Sequence, residues 1–163
     1  MNSLLHNWQR LAPLPGGRWL FSRVLGRTAP YTGSIRPQVL ELDAGHARVA
    51  MADRRAVRNH LRSIHAIALI NLAEVTSGIA MLAGLPADAR GIVTGLSIEY
   101  VKKARGRLIG ECDCTPPRTN AAGEIEVPVL LRDDAGDVVA RASARWKIGP
   151  VPATDSKDRT QTK

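Results

Sequence analysis

Cysteine is scarce in this sequence. The 163-residue chain has only Cys112 and Cys114, which are one residue apart. A disulfide framework needs several cysteine pairs, and a structural zinc site needs about four ligands. Two neighbouring cysteines supply neither, so we expect no metal site. We expect a buried, unreactive thiol pair in a protein of the reducing cytoplasm.

Aromatic residues are also few, at 4% of the chain. Lys and Arg outnumber Asp and Glu by 23 to 15, giving a net charge of +8, which favours an anionic partner. Single-stranded nucleic acid is usually bound where aromatic and basic side chains interleave on strands. That pattern is missing, so nucleic acid is not an expected partner. The sequence also lacks a Gly-rich phosphate loop and a Gly-x-Ser-x-Gly elbow, so nucleotide hydrolysis and ordinary serine hydrolysis have no support.

The N-terminus lacks the unbroken apolar core of a signal peptide, because Pro and Gly interrupt residues 13–17. The longest apolar run, residues 66–83, is long enough to suggest a membrane span. Asn71 and Glu74 lie near its middle, however, and a charged group at that depth costs about 3 kcal/mol. The run is therefore predicted to be a core helix, and no stable membrane insertion is expected.

Residues 1–34 are predicted to form a helical extension of two short helices, separated by the interruption at residues 13–17. This segment mixes aromatic residues such as Trp8 and Trp19 with several arginines. We expect both helices to pack on the main domain; an interfacial membrane anchor is the alternative. The polar tail, residues 151–163, is predicted to be disordered.

Residues 35–150 have the pattern of one α+β domain. Apolar alternation predicts six strands, at residues 39–42, 47–51, 91–101, 107–115, 124–132 and 138–148. The turns between them favour consecutive antiparallel hairpins. Pro128 lacks a ladder donor, which predicts an edge position or a bulge there. The helix predicted at residues 65–84 is apolar nearly all round, so the sheet is expected to wrap around it and bury it.

Glu74 is the one acidic residue of this helix, and it shares a stripe with Asn71 and Gly78. Burying a carboxylate is costly. Glu74 is therefore expected either to pair with an Arg or with backbone donors, or to keep a raised pKa that suits a general base acting on water.

The start of the helix is a candidate site for negative charge. Ser63 is a candidate cap, so the first free backbone N–H groups should lie near residues 64–67. The N–H of Ala66 could stabilise a carbonyl oxygen that gains charge during acyl transfer. Glu74 lies about 12 Å further along the helix, too far to act on the same carbonyl. Two antiparallel helices in a symmetric dimer would bring Ala66 of one chain beside Glu74 of the other.

The string Asn59-x5-His65-Ala66-x7-Glu74, between a hairpin and four strands, resembles the hotdog-fold acyl-CoA thioesterases of the phenylacetate-pathway branch. The resemblance covers about residues 35–149 and implies a curved antiparallel sheet wrapped around one long central helix, with short N-terminal helices added. It implies that Asn59 and the Ala66 N–H hold the thioester carbonyl. Glu74 of the partner chain would be the general base or nucleophile, and His65 would orient the site.

Two features depart from the usual pattern of that branch. His-Gly-Gly is replaced by His65-Ala66-Ile67, and Gly95 stands where some relatives have an acidic residue. The lead-in, which includes Arg18-Trp19 and Pro30-Tyr31, also resembles the start of an uncharacterised hotdog subfamily. The expected substrate is therefore an acyl thioester, without a more specific acyl group.

Coenzyme A would enter as part of the substrate, and no separate cofactor is expected. Five basic residues are candidates for charge-assisted contacts to its phosphates: Arg58, Arg62, Lys102, Lys103 and Arg105. An ordinary solvated basic surface is the alternative. The expected function is an acyl-CoA thioesterase that works as a homodimer or homotetramer; the alternative is a hotdog protein that binds acyl-CoA or fatty acyl groups without catalysis.

Overall fold

The computed structural model describes residues 3–152, in which three helices precede the first strand. They are α1 (Ser3–Leu11), α2 (Gly17–Thr28) and α3 (Pro30–Ser34). The sequence predicts two of them; α3 is a single five-residue turn, too short to produce a periodic pattern. The tail predicted to be disordered lies outside the described residues, except for Val151 and Pro152.

One antiparallel sheet of six strands and one long helix follow these three helices. The strands are β1 (Gln38–Asp43), β2 (His46–Met51), β3 (Ala89–Tyr100), β4 (Leu108–Asp113), β5 (Gly123–Asp133) and β6 (Val138–Pro150). Their order in the sheet is β1-β2-β4-β5-β6-β3. The long helix α4 (Ala66–Gly84) contacts all six strands. This arrangement confirms the α+β class and the sheet curved around one long helix.

The prediction of consecutive hairpins is wrong for β3 and β4. β3 pairs with β6, whereas β4 pairs with β2. The connection between β3 and β4 runs past the start of α4: the N–H of Ile64 donates to the carbonyl of Ala104 at 2.9 Å, and the N–H of Gly106 donates to the Asp53 carboxylate at 2.9 Å. The connection is therefore not a tight turn, and β3 lies at one edge of the sheet.

Pro128 lies in β5, which has neighbours on both sides in the strand order. The ladder between β4 and β5 ends at the pair Glu111 and Leu130, so Pro128 lies on a stretch of β5 without a partner on that side. The edge environment predicted for Pro128 is therefore present locally. The β5–β6 register shift falls instead between Leu131 and Arg132.

The two cysteines differ in burial. Cys112 is buried on the core face of β4 with Leu108 and Gly110, as predicted, whereas Cys114 is half-buried. A hydrogen bond between the two thiols raises the pKa of Cys112 and lowers that of Cys114. Both are free thiols.

Helix α4 is not surrounded on every side, contrary to the prediction. Ala66, Ile67, Ile70 and Glu74 form one incompletely buried stripe, and Ile67 is 51% exposed. Within residues 3–152, the sheet and α1 cover the other faces of the helix. In residues 3–152, α4 is also the one helix that is long and apolar enough to cross a membrane, but 72% of its most apolar window is buried, as expected of a core helix.

Candidate functional site

The incompletely buried stripe of α4 lies next to β3, whose outer edge has no partner strand in the described part of the chain. A bulge between Val93 and Gly95 shifts the alternation of β3 by one residue. Val93 and Leu96 consequently pair with Trp146 and Ala144, which lie on the core face of β6. Both Val93 and Leu96 therefore face α4.

Glu74 lies in a hollow of about 310 Å³ between α3, α4 and β3. The other lining residues are mostly apolar: Tyr31, Thr32, Ile67, Ile70, Asn71, Val93 and Leu96. Burial raises the pKa of the Glu74 carboxyl. Among residues 3–152, no side chain forms an ion pair or hydrogen bond with this carboxylate. The sequence leaves two environments open for Glu74: pairing with an Arg or with backbone donors, or an unpaired carboxyl with a raised pKa. Within the described residues, the structure has the second.

The N-terminus of α4 is capped by His65, and the predicted cap Ser63 is wrong. The N–H of Ile67 donates to Nδ1 of His65 at 3.0 Å. Ser63 is buried and bonds instead to Asn59, because its N–H donates to the Asn59 Oδ1 at 3.2 Å. Of the N–H groups predicted to be free near residues 64–67, those of Ile64, His65 and Ile67 already donate to other groups. The N–H of Ala66 has no hydrogen-bond acceptor within the described chain, so this one donor is free.

Asn59 organises the loop before α4. Its Oδ1 also accepts from the N–H of Leu61 at 2.9 Å, and Arg62 in the same turn has a left-handed backbone with φ of 56°. These bonds use the oxygen of the Asn59 amide and leave its Nδ2 as a donor without a partner among the described residues. Asn59 does not line either of the hollows beside α4.

A second, smaller hollow of about 180 Å³ lies toward the start of α4, and His65 and Arg58 are among its lining residues. Tyr31, Ile67 and Asn71 line both hollows, so the two are adjacent. Together they form what we call the α4 groove, which runs from His65 to Glu74. Ala66 is not among the groove-lining residues; its carbonyl accepts from the Tyr100 hydroxyl at 3.4 Å.

The two predicted basic segments are brought together beside the start of α4 by the Ile64–Ala104 hydrogen bond. Two of the five candidates are already paired. The Arg58 Nε lies 2.6 Å from the Asp53 carboxylate, and the Lys102 Nζ lies 2.8 and 2.6 Å from the carboxylates of Asp133 and Asp137. The remaining three, Arg62, Lys103 and Arg105, form no ion pair with any residue that the structure describes.

Tyr31 and Leu96 are two of the groove residues that sequence reasoning missed. The Asn71 Nδ2 donates a hydrogen bond to the carbonyl of Tyr31 on α3 at 3.2 Å. This bond joins the N-terminal helices to α4. Leu96 faces α4 because of the bulge beside Gly95. An isolated glycine within a strand is a signal for such a bulge and was available in the sequence.

The chain matches one sequence family and is similar to several solved structures. A family model for the domain of unknown function DUF4442 matches residues 17–148. The structural-genomics protein APC5556 is 34% identical, with a TM-score of 0.79 over 91% of this chain and 99% of that chain. No match was found among the curated proteins.

More distant structures have the same fold. A Pseudomonas aeruginosa protein of unknown function, described as a probable thioesterase, is 22% identical, with a TM-score of 0.73 over 85% of this chain and 97% of that chain. A thioesterase family protein from Silicibacter pomeroyi is 15% identical, with a TM-score of 0.68 over 80% and 96%. These similarities confirm the hotdog fold.

Proposed function

Because the chain belongs to the DUF4442 family and has the hotdog fold, we propose that it is a thioesterase that hydrolyses acyl-CoA. The observation that carries this proposal is the environment of Glu74: a half-buried carboxylate with a raised pKa, without an ionic partner among the described residues, in an apolar hollow. A carboxylate in such a place is a stronger base than one in water. The apolar walls suit an acyl chain.

A second copy of the chain completes the site in this proposal. Ala66 and Glu74 are eight residues apart on one helix, about 12 Å, so one chain cannot apply both to one carbonyl. The open stripe of α4 and the unpaired edge of β3 lie side by side, and Leu96 is exposed between them. A symmetric dimer formed across this face buries both features and brings two α4 helices together. A tetramer built from two such dimers remains a prediction.

The proposed reaction takes its hydrogen-bond donors from one chain and its base from the other. The thioester carbonyl accepts hydrogen bonds from the Ala66 N–H and the Asn59 Nδ2 of one chain, near the positive end of α4. Glu74 of the other chain takes a proton from water, and the water oxygen attacks the carbonyl carbon. The C–S bond then breaks, and Glu74 returns the proton to the departing thiolate. The products are a carboxylic acid and free coenzyme A.

We assign the phosphates of coenzyme A to the unpaired cations beside the start of α4. Arg62, Lys103 and Arg105 can each approach a phosphate without first breaking an ion pair. Arg58 and Lys102 are less available because Asp53, Asp133 and Asp137 already bind them. Reversing the charge of Arg105 should therefore raise KM for acyl-CoA more than the same change at Lys102.

The test is release of free thiol from a panel of acyl-CoAs of increasing chain length by the wild-type chain and Glu74→Gln. We expect the variant to fold and to lose turnover, since an amide cannot take the proton from water. Its thermal stability at neutral pH should equal or exceed that of the wild type, because the burial that raises the pKa of Glu74 penalises the ionised form.

Glu99→Gln, on the outer face of β3, is the matched control and should retain activity. Unchanged thiol release by folded Glu74→Gln rejects the assigned role.

A non-catalytic acyl-thioester binder is the second candidate. One observation favours it: the Ile67 side chain lines both parts of the α4 groove, at a position where the resembled enzymes have glycine. Side-chain bulk there narrows the approach to the Ala66 N–H. Such a binder would show saturable acyl-CoA binding by calorimetry with no thiol release by either wild type or Glu74→Gln.

A further inference from the structure

Helix α2 has two apolar faces, of which the fold uses one. Phe21 is buried and packs edge-to-face on Trp8, with ring centroids 5.1 Å apart. Ser22 on the same side accepts a hydrogen bond from the N–H of Val39 at 2.9 Å, which fixes α2 against β1. These contacts account for the attachment of α2. They do not account for the apolar residues on its other side.

The opposite side, which we call the α2 outer face, consists of Trp19, Leu20, Arg23, Val24 and Arg27. The last four follow Trp19 by one, four, five and eight residues, which places all five on one side of a helix. Trp19 is 60% exposed, and Leu20 and Val24 are about half exposed. An apolar stripe of this kind, flanked by cations, is unusual on a surface that meets only water.

The chain segment that carries this face has charge of a single sign. Residues 1–40 contain five arginines and no aspartate or glutamate. The Arg23 guanidinium lies over the Trp19 ring, 5.4 Å from its centroid, and neither Arg23 nor Arg27 forms an ion pair within residues 3–152. The face therefore combines cations that are free to bind an anion with aliphatic and indole side chains that are free to leave water.

We propose that the α2 outer face docks on anionic lipid bilayers. Its tryptophan and aliphatic residues would enter the boundary between headgroups and acyl chains, and its arginines would contact lipid phosphates. A nucleic acid would satisfy the arginines but would leave Leu20 and Val24 in water. Docking would place the bilayer near α3, whose Tyr31 lines the α4 groove. This inference rests on the surface of α2 alone and does not depend on the proposed hydrolysis.

Tryptophan fluorescence gives a direct test with the full chain. Trp8 and Trp146 are buried, whereas Trp19 is exposed, so the change on docking should come from Trp19. We expect a blue shift and protection from acrylamide on adding phosphatidylcholine vesicles that contain about one third phosphatidylglycerol, and quenching when the acyl chains are brominated. Trp19→Phe should still co-sediment with these vesicles but lose the shift, which assigns the signal.

Substitutions distinguish docking by the α2 outer face from nonspecific binding to vesicles. Leu20→Ser combined with Val24→Ser should weaken co-sedimentation at least tenfold, and Arg27→Ser about fivefold, since one arginine near an anionic surface contributes about 1 kcal/mol. Ile92→Ser, at a similarly exposed apolar residue on the outer face of β3, is the matched control and should bind like the wild type. Circular dichroism and melting verify that each variant folds.

Three results would overturn the proposal. One is the absence of a Trp19 shift and of co-sedimentation with anionic vesicles at low salt. Another is equal loss of binding in Ile92→Ser and in the Leu20/Val24 double variant. The third is a wild type that self-associates but does not bind vesicles, together with a Leu20/Val24 double variant that no longer self-associates. The face would then be an interface between copies of the chain.

Discussion

Truncating Leu96 to alanine should weaken the proposed dimer while leaving the single chain folded. Leu96 is 43% exposed and lies on the face formed by the α4 stripe and the edge of β3. Full burial of a leucine side chain contributes about 1.5–3 kcal/mol, so burying its exposed part contributes about 0.6–1.3 kcal/mol. A symmetric dimer contains the contact twice, which gives about 1–3 kcal/mol, or about a tenfold to hundredfold rise in the dimer dissociation constant.

Sedimentation equilibrium over a dilution series measures this change, and Ile92→Ala provides the control. Ile92 is 54% exposed on the same strand, but it pairs with Lys147 and faces away from α4. We expect Ile92→Ala to dimerise like the wild type. Thiol release by Leu96→Ala should fall at concentrations where its dimer dissociates. A wild-type chain that is monomeric and active, or equal effects of the two substitutions, would refute the assignment of this face.

Two further predictions concern stability. In Gly110→Ala the added Cβ would lie 2.5 Å from the Thr76 Oγ1, so we expect a loss of about 1–3 kcal/mol in urea unfolding. The control Gly123→Ala, where an added Cβ meets no described atom within 4 Å, should stay within about 0.5 kcal/mol of wild type; equal midpoints for the two variants would contradict the packing around Gly110. The second prediction concerns His46, whose pKa is raised mainly by its hydrogen bond to Asp113. The stability from this pair should be complete below the usual histidine pKa of about 6.5 and should be lost as the pH rises through the raised value. Melting temperatures across this range should fall less steeply in Asp113→Asn than in the wild type; parallel slopes would rule out the pair as the cause.

The regular elements could be predicted because their patterns are local. The last strand, predicted at residues 138–148, is observed at Val138–Pro150, where alternating residues such as Ala144 and Trp146 are buried and Arg145 is exposed. The helix predicted at residues 65–84 is observed at Ala66–Gly84. Strand order could not be predicted in this way, because β3 lies beside β6 through pairs of residues far apart in sequence, such as Val93 and Trp146.

The candidate site also has features that the local sequence predicts and features that depend on distant segments. The position of Glu74 on the helix and the free N–H of Ala66 follow from helix geometry alone. The hollow around Glu74 does not, because its walls come from three segments, represented by Tyr31, Ile67 and Leu96. The sequence favours Ser63 over His65 as the cap because serine is the commoner cap residue. In the structure Ser63 binds Asn59 within the loop before α4, and His65 accepts from the Ile67 N–H as the cap.

The proposed dimer would act on Glu74 in two opposite ways. Closing the open face of α4 removes water from the hollow, and further desolvation raises the pKa of a carboxyl group. The same contact brings the N-terminus of the partner's α4 toward Glu74, and the positive end of a helix stabilises a carboxylate and lowers its pKa. A general base at neutral pH needs both effects, because desolvation alone would leave Glu74 protonated and the helix end alone would make it a weak base. In this proposal the shared interface therefore positions the base and also sets its strength, which gives a physical reason for placing a single acid in the middle of an apolar helix.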